Sequence, residues 1–186
     1  MRRVRYSVAM SLDGYIAGPN GEADWIVMDP EIGAGFADYY KQFDTFLIGR
    51  KTYTAMTKPG KGGGGGAFAG FKIIVVSRTL NPRDYPKATI ISAGVKEAIT
   101  ALKQEPGKDI WLFGGGELFR SLLDLGLVDT VEVGVIPVLL GGGIPFLPPP
   151  ASRAALTLVS HRAYQKTGTL WLDYAVTPPR RRKRRT

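Results

Sequence analysis

The period of apolar and polar positions changes along this chain, and each change marks an element. Val4, Tyr6, Val8 and Met10 alternate with Arg3, Arg5, Ser7 and Ala9, which predicts a strand with one face more apolar than the other. Continuous apolar runs then recur at residues 45–48, 72–76 and 110–113, as expected for short strands covered on both faces. Between them the spacing becomes helical. Asp29, Pro30 and Glu31 form a helix start: an N-cap, a proline at the first helical position and an acid in the first turn. That helix is expected to run to about residue 42 and to bury Phe36, Tyr39, Tyr40 and Phe43. Val95, Ala98, Ile99 and Leu102 give an i, i+3, i+4, i+7 helix stopped by Pro106 and Gly107. Leu118, Phe119, Leu122 and Leu123 give another, opened by Glu117. A short strand is expected at 88–92 and a further one at 128–136. A Gly/Pro-rich connection spans 137–150, and a hairpin pairs 156–164 with 169–176 around Lys166, Thr167 and Gly168.

Strands alternating with helices predict an α/β domain over residues 1–177, built on a mostly parallel sheet and closed by an antiparallel C-terminal hairpin. Composition narrows the function classes. There are 186 residues, 44% hydrophobic and 22% charged, no cysteine and one histidine. Disulfides, thiolate nucleophiles, cysteine metal sites and multi-histidine metal sites are thereby excluded. His161 falls within the hairpin and is read as structural. No apolar stretch is long enough for a transmembrane helix, and no signal-peptide block follows Met1, Arg2 and Arg3, so the chain is read as cytoplasmic. Arg180, Arg181, Arg182, Lys183, Arg184 and Arg185 carry six of the nine net positive charges, leaving +3 elsewhere. Residues 178–186 are read as a disordered basic tail without a specific nucleic-acid role, since no reader motif accompanies them. The glycines around 62–66 read as a flexible loop, because nothing at P-loop spacing follows them.

Candidate chemistry collects where strands end. Gly114, Gly115 and Gly116 stand between a buried strand and a helix, where unpaired N–H groups suit a pyrophosphate. A tight turn with no ligand is the competing reading. Gly49, Arg50, Lys51 and Thr52 repeat the arrangement with two cations and a hydroxyl. Ser77 and Arg78 close a third strand. Ligands of open α/β sheets bind at these carboxyl ends. No acid follows the glycines at the Rossmann distance, which disfavours that fold.

These stretches, in this order, resemble the dihydrofolate reductase-like superfamily, and within it the branch of the C-terminal reductase domain of bifunctional riboflavin biosynthesis proteins. The resemblance covers about residues 3–176. It rests on Ser11-Leu12-Asp13-Gly14-Tyr15-Ile16-Ala17, Gly49-Arg50-Lys51-Thr52-Tyr53, Val76-Ser77-Arg78, Phe113-Gly114-Gly115-Gly116-Glu117-Leu118, and Pro137-Val138-Leu139-Leu140-Gly141-Gly142-Gly143. It implies a three-layer fold with helices on both faces of the sheet, and NADPH as cofactor. By the same resemblance Gly114, Gly115 and Gly116, with Glu117 and Leu118 after them, would meet the pyrophosphate. Gly49, Arg50, Lys51 and Thr52 would hold phosphates. Arg50, Ser77 and Arg78 would take the ribose 2′-phosphate, and Ile16, Ala17 and Trp25 would line the nicotinamide side. The implied reaction is hydride transfer to a pteridine- or aminopyrimidine-like heterocycle, by a stand-alone enzyme that is a homodimer.

The substrate end departs from the pattern. Asp29 or Glu31 could supply the acid that folate reductases carry on the first helix, or could only cap that helix. Asp13 could touch substrate or cofactor, or only make an Asp-Gly turn. Phe113 stands where riboflavin-pathway reductases commonly have a glutamate, and the zinc deaminase usually fused to them cannot be built here. A true 5-amino-6-(5-phosphoribosylamino)uracil reductase and a non-catalytic nucleotide-binding protein are the alternatives.

Overall fold

The computed structural model describes residues 1–57 and 69–177; the glycine-rich loop and basic tail anticipated above fall outside them. Ten strands and four α-helices follow in the order β1 (Val4–Ser11), β2 (Tyr15–Ala17), α1 (Pro30–Tyr40), β3 (Phe43–Gly49), α2 (Arg50–Thr57), β4 (Lys72–Val76), β5 (Thr89–Ile91), α3 (Val95–Gln104), β6 (Asp109–Gly114), α4 (Gly116–Asp124), β7 (Thr130–Ile136), β8 (Ile144–Pro145), β9 (Ala155–Tyr164) and β10 (Thr169–Thr177). Eight strands form one sheet in the order β5-β4-β3-β6-β1-β7-β10-β9, and β2 pairs with β8 in a separate ribbon. The sheet is parallel through β7; β10 and β9 continue it antiparallel.

Helices cover both faces, as the three-layer expectation required. On one face Ile99 and Leu102 of α3 and Leu118, Phe119 and Leu122 of α4 pack with Val4, Tyr6, Leu47, Leu112 and Val131. On the other, Phe36, Tyr39 and Tyr40 of α1 and Tyr53 of α2 pack with Phe43, Phe46, Ile48 and Trp111. This second layer is rich in aromatic rings, with Ile48, Ile73 and Val75 among its buried aliphatic members. Trp111 meets Tyr39 edge-on at 5.4 Å and Phe46 at 5.2 Å between ring centroids, which adds directional preference to burial.

One local expectation needs correction. Helix α1 stops at Tyr40, and Phe43 belongs to β3, where it is 3% exposed; two residues, Lys41 and Gln42, suffice for the turn into the strand. The capping is as expected: Asp29 accepts a 2.8 Å hydrogen bond from the Ile32 N–H. Strand β1 has no solvent face. It lies between β6 and β7, and both Arg5 and Ser7 are buried. What the sequence does not display is the partner, Glu132 of β7, 1% exposed and bound to Arg5 by hydrogen bonds of 2.7 and 2.8 Å. A buried charge is tolerated when it is paired and its remaining hydrogen bonds are satisfied.

Candidate functional site

A cleft of about 1860 Å³ runs across the carboxyl ends of β1, β3, β4 and β6 and continues beneath α1 toward β10 and β9. At one end the turns that leave β3, β4 and β6 meet. Each glycine of the 114–116 turn meets a different constraint, strict at Gly114 and Gly116 and milder at Gly115. Gly114 has φ +144°, a conformation that L side chains rarely adopt. A Cβ on Gly115 would stand 3.3 Å from the Thr52 hydroxyl of α2. One on Gly116 would stand 2.5 Å from the Pro145 carbonyl and 2.9 Å from the Pro148 ring. The Gly114–Gly115 peptide is cis. Gly115 caps α4 without a side-chain hydrogen bond, so the first N–H groups of that helix face the cleft uncapped. On α2, Lys51 lies 3.4 Å from Glu117 in an exposed pair. Among the described residues, Arg50 and Arg78 have no ion-pair partner. The Ser77 hydroxyl is buried and accepts from the Thr79 and Leu80 N–H groups at 3.2 and 3.1 Å, so it shapes the turn that presents Arg78.

Ile16, Ala17, Gly49, Arg50, Lys51, Thr52, Ser77, Arg78, Gly114, Gly115, Gly116, Glu117 and Leu118 all line this one cleft. Trp25, Asp13, Asp29 and Glu31 do not. The Trp25 indole donates to the Glu22 carbonyl. Asp13 accepts from the Ser11 hydroxyl at 2.6 Å and from the N–H groups of Gly141 and Leu140 at 2.7 and 3.1 Å. These donors, Ser11 foremost, hold its carboxyl below the usual range. They also fasten the loop after β1 to the segment before β8. Asp29 is the α1 cap, and Glu31 pairs with Arg162 of β9 at 2.6 Å.

The other end of the cleft was invisible to motif reading, because five elements build it. The sheet register sets Ala9, Gly134, Trp171 and Arg162 in one cross-strand row on the α1 face, and Ser7, Glu132, Asp173 and Ser160 in the next. Tyr39 descends from α1 and donates a short hydrogen bond to Glu132. Thr130 donates to the same carboxylate at 2.7 Å. Burial, then the Glu132 charge, pushes the Tyr39 phenol above its ordinary range, so it stays protonated as a donor. Burial and the same Glu132 charge raise the Asp173 carboxyl. The one available signal was an acid, Glu132, within an otherwise apolar strand run.

The match to known proteins follows the same plan. The family model described as the RibD C-terminal domain matches residues 2–170. The uncharacterized protein YyaP of Bacillus subtilis (strain 168) is 37% identical over 181 residues, covering 93% of this chain and 94% of the relative. Among solved structures, one described as a riboflavin biosynthesis protein from Shewanella sp. PV-4 superposes with a TM-score of 0.76 at 22% identity, over 95% of this chain and 99% of that one. Dihydrofolate reductase from Enterococcus faecalis, complexed with NADP(H) and RAB-propyl, superposes with a TM-score of 0.66 at 18% identity, over 95% of this chain and 97% of that one. By fold, and by a family match spanning most of its length, this chain belongs to the RibD C-terminal domain family, on a dihydrofolate reductase-like scaffold.

Proposed function

We propose that this chain is an NADPH-dependent reductase that transfers a hydride to a planar pteridine- or aminopyrimidine-like heterocycle. One observation carries the reading. A single continuous cleft joins an end made of glycine backbone and two arginines without ion-pair partners among the described residues to an end walled by aromatic rings. The residues fit the cofactor. Uncapped N–H groups of α4 and the glycine backbone would receive the pyrophosphate. Arg50, Lys51 and Thr52 would hold phosphates. Arg78, presented by the Ser77 turn, would join Arg50 at the 2′-phosphate, where a guanidinium can bind two oxygens at once. Ile16 and Ala17 would line the nicotinamide side, and Trp25 would support their loop from outside the cleft.

When bound, the dinucleotide supplies the hydride; the chain positions it and excludes water. The substrate would occupy the aromatic end. Asp13, Asp29 and Glu31 act in this reading as a loop fastener, a helix cap and an ion-pair partner. Water above the polar Ser7–Ser160 row would deliver the proton, since an ordered water can replace a side-chain acid. Arg78→Ala should weaken NADPH about tenfold or more while leaving NADH within about twofold, because a charge-assisted hydrogen bond contributes about 1.5–3 kcal/mol. Equal losses for both cofactors, measured by fluorescence titration, would remove the 2′-phosphate assignment.

A further inference from the structure

Three tryptophans occur in this chain. The Trp111 indole N–H donates to the Ser7 carbonyl at 3.1 Å, and that of Trp25 to the Glu22 carbonyl at 3.2 Å. Trp171 differs. Among the described residues its indole N–H has no hydrogen-bond partner, although the side chain is partly buried and lines the cleft. Nor is that nitrogen among the buried atoms left without partners, so it remains open to a ligand. Buried or half-buried indoles usually find an acceptor, and a free donor on a cleft wall is a specific vacancy for one.

The surroundings fix the ring. Trp171 lies opposite Gly134 in the β10–β7 register, and its six-membered ring rests 3.5–3.7 Å from where a Gly134 Cβ would be. Tyr39 meets it edge-on, with centroids 5.6 Å apart and planes at 71°. Tyr39 is in turn fixed by Glu132. On the other side Trp171 is opposite Arg162 of β9, which also lines the cleft. The indole is thus a preorganised flat surface with one donor at its edge, while the Arg162 guanidinium is held by Glu31 and lies over the Tyr164 ring.

We infer that Trp171 is the specificity-determining residue of the substrate end, stacking a planar heterocycle and donating its indole N–H to a ring carbonyl. This rests on the reductase reading and narrows its substrate to flat rings that carry an acceptor at the edge. No side chain predicted from motifs performs this task.

The test uses the full chain and titrates pterin and 5,6-diaminouracil, both flat and carbonyl-bearing, with indole as a flat ring lacking an acceptor. Binding is followed by calorimetry, and NADPH affinity is measured on every variant. Trp171→Phe keeps a stacking ring and removes the donor. It should bind the carbonyl probes about 3- to 10-fold more weakly, as expected for one neutral hydrogen bond, and bind indole unchanged. Trp171→Ala should weaken all three probes about tenfold or more, since stacking is lost as well. NADPH affinity should be unchanged in both. Carbonyl probes bound equally by the wild type and Trp171→Phe would overturn the donor role. A merely structural tryptophan would lower NADPH and indole affinity together with the rest, which would also overturn the inference. If the wild type binds NADPH but neither carbonyl probe, the assignment of Trp171 falls while the reductase reading stands; loss of NADPH binding in the wild type would end the reductase reading instead.

Discussion

Replacing Glu132 by glutamine should destabilise this protein far more than a change of one atom type suggests. The carboxylate is 1% exposed and accepts four hydrogen bonds. Two come from Arg5, one from Thr130 and one from Tyr39. An amide has one oxygen, so its NH₂ must face either the Arg5–Thr130 pair or the Arg5–Tyr39 pair. A hydroxyl can turn round and accept; a guanidinium N–H cannot. One Arg5 hydrogen bond is therefore lost in either orientation, and Arg5 keeps only Asp109, at 3.3 Å, as a carboxylate partner. Breaking a buried pair from one side costs about 3–5 kcal/mol. Glutamine keeps part of the bonding, so about 3 kcal/mol is expected, a large share of a total stability of about 5–15 kcal/mol. For a chain of this length the thermal midpoint should fall by about 6–12 °C. Urea unfolding followed by tryptophan fluorescence and far-UV circular dichroism measures it. The double variant Arg5→Met/Glu132→Leu should be more stable than Glu132→Gln, because both charges leave together. A loss below about 1 kcal/mol for Glu132→Gln, or a double variant less stable than the single one, would refute this account of the core beneath the cleft.

Other consequences are equally specific. Burial, then the Glu132 charge, raises the Asp173 carboxyl above its unfolded value, so the stability this group contributes is complete below the unfolded pKa and is lost as pH rises through the folded one. Asp173→Asn should therefore raise the thermal midpoint at pH 7, and the gain should vanish near pH 3.5; a gain independent of pH would contradict the cause. Asp109 is shifted the other way: despite burial, its hydrogen bonds with Arg3 lower its carboxyl, so its contribution is present above the unfolded value and lost as pH falls through the folded one. Asp109→Asn should thus destabilise at pH 7 and cost progressively less toward pH 3, in the same thermal scans. Gly116→Ala should cost about 1–3 kcal/mol, since the new methyl meets a backbone carbonyl at 2.5 Å and a proline ring that cannot swing aside. Wild-type urea stability in that variant would show that the 145–148 segment moves freely away from α4.

The parallel strands and all four helices were legible because their periods differ and their ends carry distinct signals. Asp29 with Pro30 marked the start of α1, and the glycines marked the start of α4. The end of the cleft rich in glycine and arginine was legible for a related reason: it is made of turns at strand ends, each contiguous in sequence. The aromatic end was not. Trp171, Gly134 and Arg162 become neighbours only through the register of β7, β10 and β9, and no local pattern encodes register across so many residues. The partner that lets Arg5 sit buried was not legible either, because Glu132 lies 127 positions away. The acids were singled out as carboxylates near the right motifs, yet Asp13 and Asp29 serve backbone N–H groups, a use that sequence cannot separate from catalysis.

The proposed function requires that the glycine turn, with Arg50 and Arg78, bind NADPH. The most direct measurement is a titration of the purified full chain with NADPH and with NADH, following nicotinamide fluorescence. Tight NADPH binding with NADH weaker by about tenfold or more is the predicted result. Absence of binding by either dinucleotide would mean that the turn at Gly114–Gly116 is only a turn, and the reductase reading would fall with it.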